Sequence, residues 1–166
     1  MGGDLALVTF EPAVLALADA LRARGWRIAT AESCTGGLIA AACTAVAGSS
    51  DWFERGFVTY SNAAKTELLG VDAALVAAHG AVSEPVARAM CEGALEKAPV
   101  QLAVAVTGIA GPGGAVPGKP VGTVWVGWGT PGAVQTRLLQ LQGDRAAVRE
   151  QTVAFALQAL LEAARP

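Results

Sequence analysis

A chain of 166 residues, 53% hydrophobic and 16% charged, is long enough for one domain with a substantial core and short for two. That composition excludes a disordered polymer, and a formal net charge of −2 gives no electrostatic case for a nucleic-acid or anionic-membrane partner. No apolar run approaches the ~20 residues of a membrane span, and the opening "MGGDLALVTF" carries neither the basic region of a secretory signal nor the Ser or Thr that myristoylation requires at position 6.

The first helix is predicted over Glu11 to Arg24, with Val14, Leu17, Ala18 and Leu21 at helical spacing and Gly25 at its C′ position. "WRIATA" reads as a short strand. The polar cluster "ESCTGG" follows it, and then a helix over about Gly36 to Val46. "GFVTY" is the second strand, and "NAAKTELLG" a short helix with Asn62 as its N-cap and Gly70 as its end. Asp72 and Gly80 bracket another helical piece. Ser83 caps a longer one, with Glu84 and Pro85 in the first turn, where both are favoured.

"QLAVAVTG" is a nearly continuous apolar run, expected as a strand buried on both faces. After the loop "GIAGPGGAVPGKP" come two strands, "VGTVWVGWG" and "AVQTRLLQL", joined by a "TPG" turn, and a final helix from about Asp144 to Ala164. Helices alternating with strands and ending in a β-hairpin predict an α/β fold, a three-layer α/β/α sandwich around a mixed β-sheet, with residues 1–166 forming a single domain.

The three cysteines, Cys34, Cys43 and Cys91, are odd in number and lack CxxC spacing, the pattern of reduced thiols in a cytoplasmic protein. His79 is the only histidine, which argues against a zinc site and against a Ser-His-Asp triad. Neither a metal nor a cofactor is expected. The four tryptophans, Trp26, Trp52, Trp125 and Trp128, fit a homodimer interface or core packing equally well.

In open α/β sheets, ligands gather beyond the C-terminal ends of the strands. "ESCTGG", "YSNAAK" and "TGIAGPGG" all fall at such ends, so the fold should bring them onto one rim. Ser33 at a strand-to-helix turn reads either as a helix cap or as a nucleophile whose following N–H groups stabilise an oxyanion, with Gly36 and Gly37 permitting close approach of a substrate. Lys65, in the first turn of its helix, is the candidate base, because the helix dipole and partial burial both favour a neutral amine. Tyr60 could orient that amine or relay a proton. Cys34 competes as nucleophile but has only His79 to turn to. The loop starting at Thr107 exposes glycine N–H groups and a hydroxyl, as a substrate cradle does. Arg145 and Arg149, spaced i, i+4 in "GDRAAVREQ", could hold a phosphate or a carboxylate.

Taken in order, "AESCTGG", "YSNAAK", "TGIAGPGG", "KPVGTVWVG" and "GDRAAVRE" resemble the motif series of the CinA C-terminal domain family, over about Val14 to Leu161. The resemblance implies an amidase that deamidates nicotinamide mononucleotide to nicotinate mononucleotide and ammonia, a step in pyridine-nucleotide recycling. It implies metal-independent chemistry with Ser33 as nucleophile, Lys65 as base and Tyr60 in support. Cys34, Thr35, Gly36, Gly37, Asn62, Thr107, Gly108, Gly111 and Arg145 would then line the site of a small nucleotide substrate, Arg145 at its phosphate. Two alternatives remain: an amidase for another small amide, and a non-catalytic nucleotide-binding module tied to competence or DNA damage.

Overall fold

The structure, a computed structural model, describes residues 7–166; the first six residues of the "MGGDLALVTF" stretch lie outside it. Helix α1 (Glu11–Arg24) buries Val14, Leu17, Ala18 and Leu21 and ends on Gly25 in the left-handed conformation, as its spacing predicts. Strand β1 (Ile28–Glu32) is buried throughout. Helix α2 (Leu38–Thr44) starts two residues later than expected. Gly36 and Gly37, at φ 58° and 104°, are taken by the turn that precedes it.

Strand β2 (Phe53–Val58) begins upstream of "GFVTY" and stops before Thr59, so Thr59 and Tyr60 are rim residues rather than strand. Helix α3 (Asn62–Leu69) is capped by Ser61, not Asn62. Ser61 keeps the extended backbone that a cap needs and accepts from the Ala64 N–H at 3.0 Å, which makes Asn62 the first helical residue. Helices α4 (Ala73–His79) and α5 (Glu84–Lys97) follow. Asp72 caps α4 through the Ala74 N–H. Ser83 occupies the cap position of α5, but its hydroxyl donates to the Gly80 carbonyl instead of accepting from the helix. Strands β3 (Leu102–Gly108), β4 (Thr123–Thr130) and β5 (Ala133–Gln140) lead into α6 (Arg145–Ala164), capped by Asp144.

The five strands form one sheet in the order β2-β1-β3-β4-β5. β1 runs parallel to both neighbours, and β3-β4 and β4-β5 are antiparallel, which gives the expected mixed sheet. One face, bearing Ile28, Leu102, Val104, Val106, Val124 and Val126, packs against α1, α2 and α6. The other presents Ala29, Ala31, Ala103 and Ala105 to α4 and α5. Small residues there let α5 lie close to the sheet: a Cβ on Gly127 would stand 2.9 Å from the Ala87 carbonyl oxygen. Each large apolar side chain enclosed between the layers contributes about 1.5–3 kcal/mol. Trp52 and Trp128 belong to this core, whereas Trp26 and Trp125 are partly exposed. No described helix is long and apolar enough to cross a membrane.

Glu32 is in register with Val58 of β2 and Val106 of β3, so β1 and β2 end level while β3 runs two residues further. The ladder runs on past them: Ser33 N–H donates to Val106 O, and Thr59 N–H donates to Glu32 O. This register sets Ser33, Thr59 and Thr107 side by side. The chain leaves β1 towards β2 and later crosses to β3 on the other side, the arrangement that opens a crevice at the strand ends.

Candidate active site

Ser33 follows the last residue of β1, and its side chain is nearly enclosed. The turn beneath it is fixed by Glu32, whose carboxylate is fully buried and accepts four hydrogen bonds. Thr30 Oγ1 and Thr35 Oγ1 donate at 3.1 and 2.6 Å, and the N–H groups of Ile39 and Ala40 donate at 2.9 Å each. Two of these donors belong to the first turn of α2, so Glu32 caps that helix from the strand before it. Arg149 holds the turn from the opposite flank, donating to the carbonyls of Cys34 and Thr35.

Lys65 is brought in by α3 and is only 1% exposed. Its Nζ lies 3.0 Å from Ser33 Oγ, 2.9 Å from Thr59 O, 3.3 Å from Tyr60 O and 3.5 Å from Ser61 O. Burial pushes the lysine pKa below its ordinary value. A neutral amine has two N–H donors and one lone pair. The two nearest carbonyls take the donors, and the lone pair is left for the Ser33 hydroxyl proton. This geometry is compatible with a serine and its base.

Around this pair lies a cavity of about 210 Å³. Ser33, Cys34, Tyr60, Asn62 and Lys65 line it from the first two rim segments, and Thr107, Gly108 and Arg145 from the others. Thr35, Gly36, Gly37 and Gly111 do not border it. Thr35 is committed to Glu32, the two glycines shape the turn, and the Gly111 carbonyl accepts from Arg145 Nη1. Thr107 Oγ1 donates to Ala81 O, which ties the loop before α5 to the end of β3. Ala110 of the "TGIAGPGG" segment completes the wall together with Ala81 and Val82, which no sequence motif marked.

Tyr60 differs from expectation. The residue is 61% exposed and its hydroxyl accepts from Arg145 Nη2 at 3.0 Å; the group that meets the Lys65 amine is its main-chain carbonyl. Arg145 thus joins the second and third rim segments, and it also borders a larger cavity of about 680 Å³ shared with Pro112, Val121, Asp144 and Arg149.

The Cys34 thiol is pushed up to about 11, chiefly by burial, and Cys91 likewise to about 12. His79 is not part of the cavity wall; its carbonyl accepts from Lys119. Cys34 therefore lines the cavity as a protonated thiol without an imidazole partner. Among the described residues, no group of three or more His, Cys, Asp or Glu side chains is placed to hold a metal ion.

A family model described as the CinA C-terminal domain matches residues 11–164. The chain is 57% identical over 143 residues to a nicotinamide-nucleotide amidohydrolase PncC of Enterobacter agglomerans, covering 86% of this chain and 87% of that protein. It is 55% identical over 143 residues to the protein of the same name from Escherichia coli (strain K12), with the same coverage. Among solved structures, a competence-damaged protein (CinA) superfamily protein from Klebsiella pneumoniae 700603 superposes with a TM-score of 0.89 at 44% identity, covering 93% of this chain and 96% of that one.

Proposed function

The chain belongs to the CinA C-terminal domain family, and from that premise we propose that it hydrolyses the carboxamide of nicotinamide mononucleotide by a Ser33-Lys65 acyl-enzyme route without a metal. The observation that carries this reading is the 3.0 Å approach of a fully buried lysine amine to a serine hydroxyl in a cavity at the strand ends. The names of the nicotinamide-nucleotide amidohydrolase relatives support the substrate.

Neutral Lys65 takes the Ser33 hydroxyl proton as Oγ bonds to the carboxamide carbon. The oxyanion that forms is stabilised by N–H groups of the turn after Ser33. Lys65 returns its proton to the amide nitrogen as the C–N bond breaks, and ammonia leaves. A water molecule then attacks the acyl carbon, giving one proton to Lys65. That proton goes back to Ser33 Oγ as the acyl C–O bond breaks, and the acid departs as nicotinate mononucleotide, losing the second water proton to the released ammonia or to solvent. The cationic pyridinium of the substrate withdraws electrons from the carbonyl and disfavours an ammonium at Lys65. With the ring in the smaller cavity, Arg145 stands where the larger cavity begins, suited to the 5′-phosphate.

The test is ammonia release from nicotinamide mononucleotide by the purified protein, before and after exhaustive chelation. Turnover that survives chelation upholds the reading. Loss of turnover that zinc restores would overturn its metal-free part, and release from a different amide only would overturn the substrate.

A further inference from the structure

Arg149 follows Arg145 by one turn on α6 and borders the same larger cavity, where a guanidinium would ordinarily be read as a phosphate ligand. Its hydrogen bonds point elsewhere. Nε donates to Cys34 O and Nη2 to Thr35 O, each at 3.2 Å, so one planar fork grips two successive carbonyls of the nucleophile turn.

The turn is also tied from within: Ser33 N–H donates to Val106 O and Gly36 N–H to Ser33 O. Glu32 fixes the other side of the turn through Thr35 Oγ1 and the first N–H groups of α2. Clamped between a carboxylate and a guanidinium, the turn has Ser33 fixed at its start, where Oγ meets Lys65 Nζ at 3.0 Å.

We infer that Arg149 is a positioning residue: its fork on the Cys34 and Thr35 carbonyls holds the turn that carries Ser33 in the orientation that meets Lys65, and it does not bind the substrate's phosphate. The inference rests on the amidase reading above.

The experiment compares the full-length chain with Arg149→Ala and Arg149→Lys. Ammonia release is followed from nicotinamide mononucleotide and from nicotinamide riboside, which lacks the phosphate. Arg149→Ala should lower kcat about 100-fold on either substrate with KM held within about threefold, the signature of a lost transition-state interaction. Arg149→Lys should recover only part of the rate, because one ammonium cannot grip two carbonyls as a fork does. A raised KM for the nucleotide at unchanged kcat overturns the inference, as does a loss seen with the nucleotide and absent with the riboside. If the riboside is not turned over, the split on the nucleotide decides alone; if Arg149→Ala does not fold, Arg149→Lys carries the test. If the wild-type chain releases ammonia from neither amide, the amidase reading falls by itself. The positioning role is then read from the rate at which a fluorophosphonate labels Ser33: slowing of about tenfold in Arg149→Lys upholds it, and an unchanged rate overturns it.

Discussion

Lys65 Nζ and Ser33 Oγ, 32 residues apart in the chain, meet at 3.0 Å because α3 starts where β2 ends, level with the end of β1. As the proposed nucleophile and base the two would act as a unit, so removing either member should cost about as much as removing both. Ser33→Ala and Lys65→Ala are each expected to lower kcat for ammonia release by at least about 1,000-fold. Lys65→Arg should be as inactive, since a guanidinium is not deprotonated in a protein. Cys34→Ala should retain turnover, because a buried thiol raised to about 11 supplies no thiolate near neutral pH. An inactive Cys34→Ala beside an active Ser33→Ala would reverse the assignment of the nucleophile.

The lowered lysine pKa fixes the sign of a pH dependence. The base works only when neutral, so kcat/KM should rise with pH as Lys65 loses its proton and fall as pH drops through that value. The midpoint of the rise should lie below the ~10.4 of an ordinary lysine. The substrate's phosphate also titrates, with a second pKa of about 6. A profile taken on nicotinamide riboside removes that contribution and leaves the limb of Lys65. A rate that climbs only as an ordinary lysine deprotonates would mean that burial does not tune this amine.

Tyr60 supports the site through its main chain, which predicts a mild phenotype for its side chain. Tyr60→Phe keeps the carbonyl that accepts from Lys65 and deletes only the hydroxyl bound to Arg145. The pH profile should stay in place and kcat should change by no more than a few-fold. Arg145→Ala removes a charge that spans the rim and should raise KM for the nucleotide about 10- to 100-fold, the worth of one charged hydrogen bond. The riboside should be affected much less. Equal losses on the two substrates would show that Arg145 shapes the rim without meeting the phosphate.

Much of this could be read from the sequence where a local rule decides the outcome. The stripe Val14, Leu17, Ala18 and Leu21, the stop at Gly25 and the unbroken apolar run of β3 each follow from side-chain periodicity and backbone freedom. The convergence of Ser33, Lys65 and Thr107 follows from neighbouring parallel strands whose carboxyl ends share one rim. What escaped depends on side-chain direction across distance. Ser61 and Asn62 are both good caps, and only the backbone at Ser61 decides between them. Arg149 looks like a phosphate ligand until its partners, 114 and 115 residues earlier in the chain, are seen. Glu32 reads as an ordinary polar residue at a strand end. One signal was present, a carboxylate in an otherwise apolar strand flanked by Thr30 and Thr35, but its meaning requires α2 to be docked above it.

That carboxylate supplies the last prediction. Glu32 Oε1 accepts from Thr35 Oγ1 and the Ile39 N–H, and Oε2 accepts from Thr30 Oγ1 and the Ala40 N–H, all without contact with solvent. Glu32→Gln turns one acceptor into an NH2 group that faces an N–H donor. Threonine hydroxyls can rotate to accept, but a helix N–H cannot, so at least one buried donor is stranded. A stranded buried donor costs about 1–3 kcal/mol, and the loss of the negative charge at the α2 N-terminus adds about 0.3–1 kcal/mol. A chain of this size should then melt roughly 3–15 °C lower. Because Thr35 and the α2 N-terminus would loosen together, the kcat of the folded fraction should fall with little change in KM. Calorimetry and steady-state kinetics on the same preparation check both. An unshifted melting temperature would mean that the four hydrogen bonds do not stabilise the turn, and would remove Glu32 from the clamp that holds Ser33.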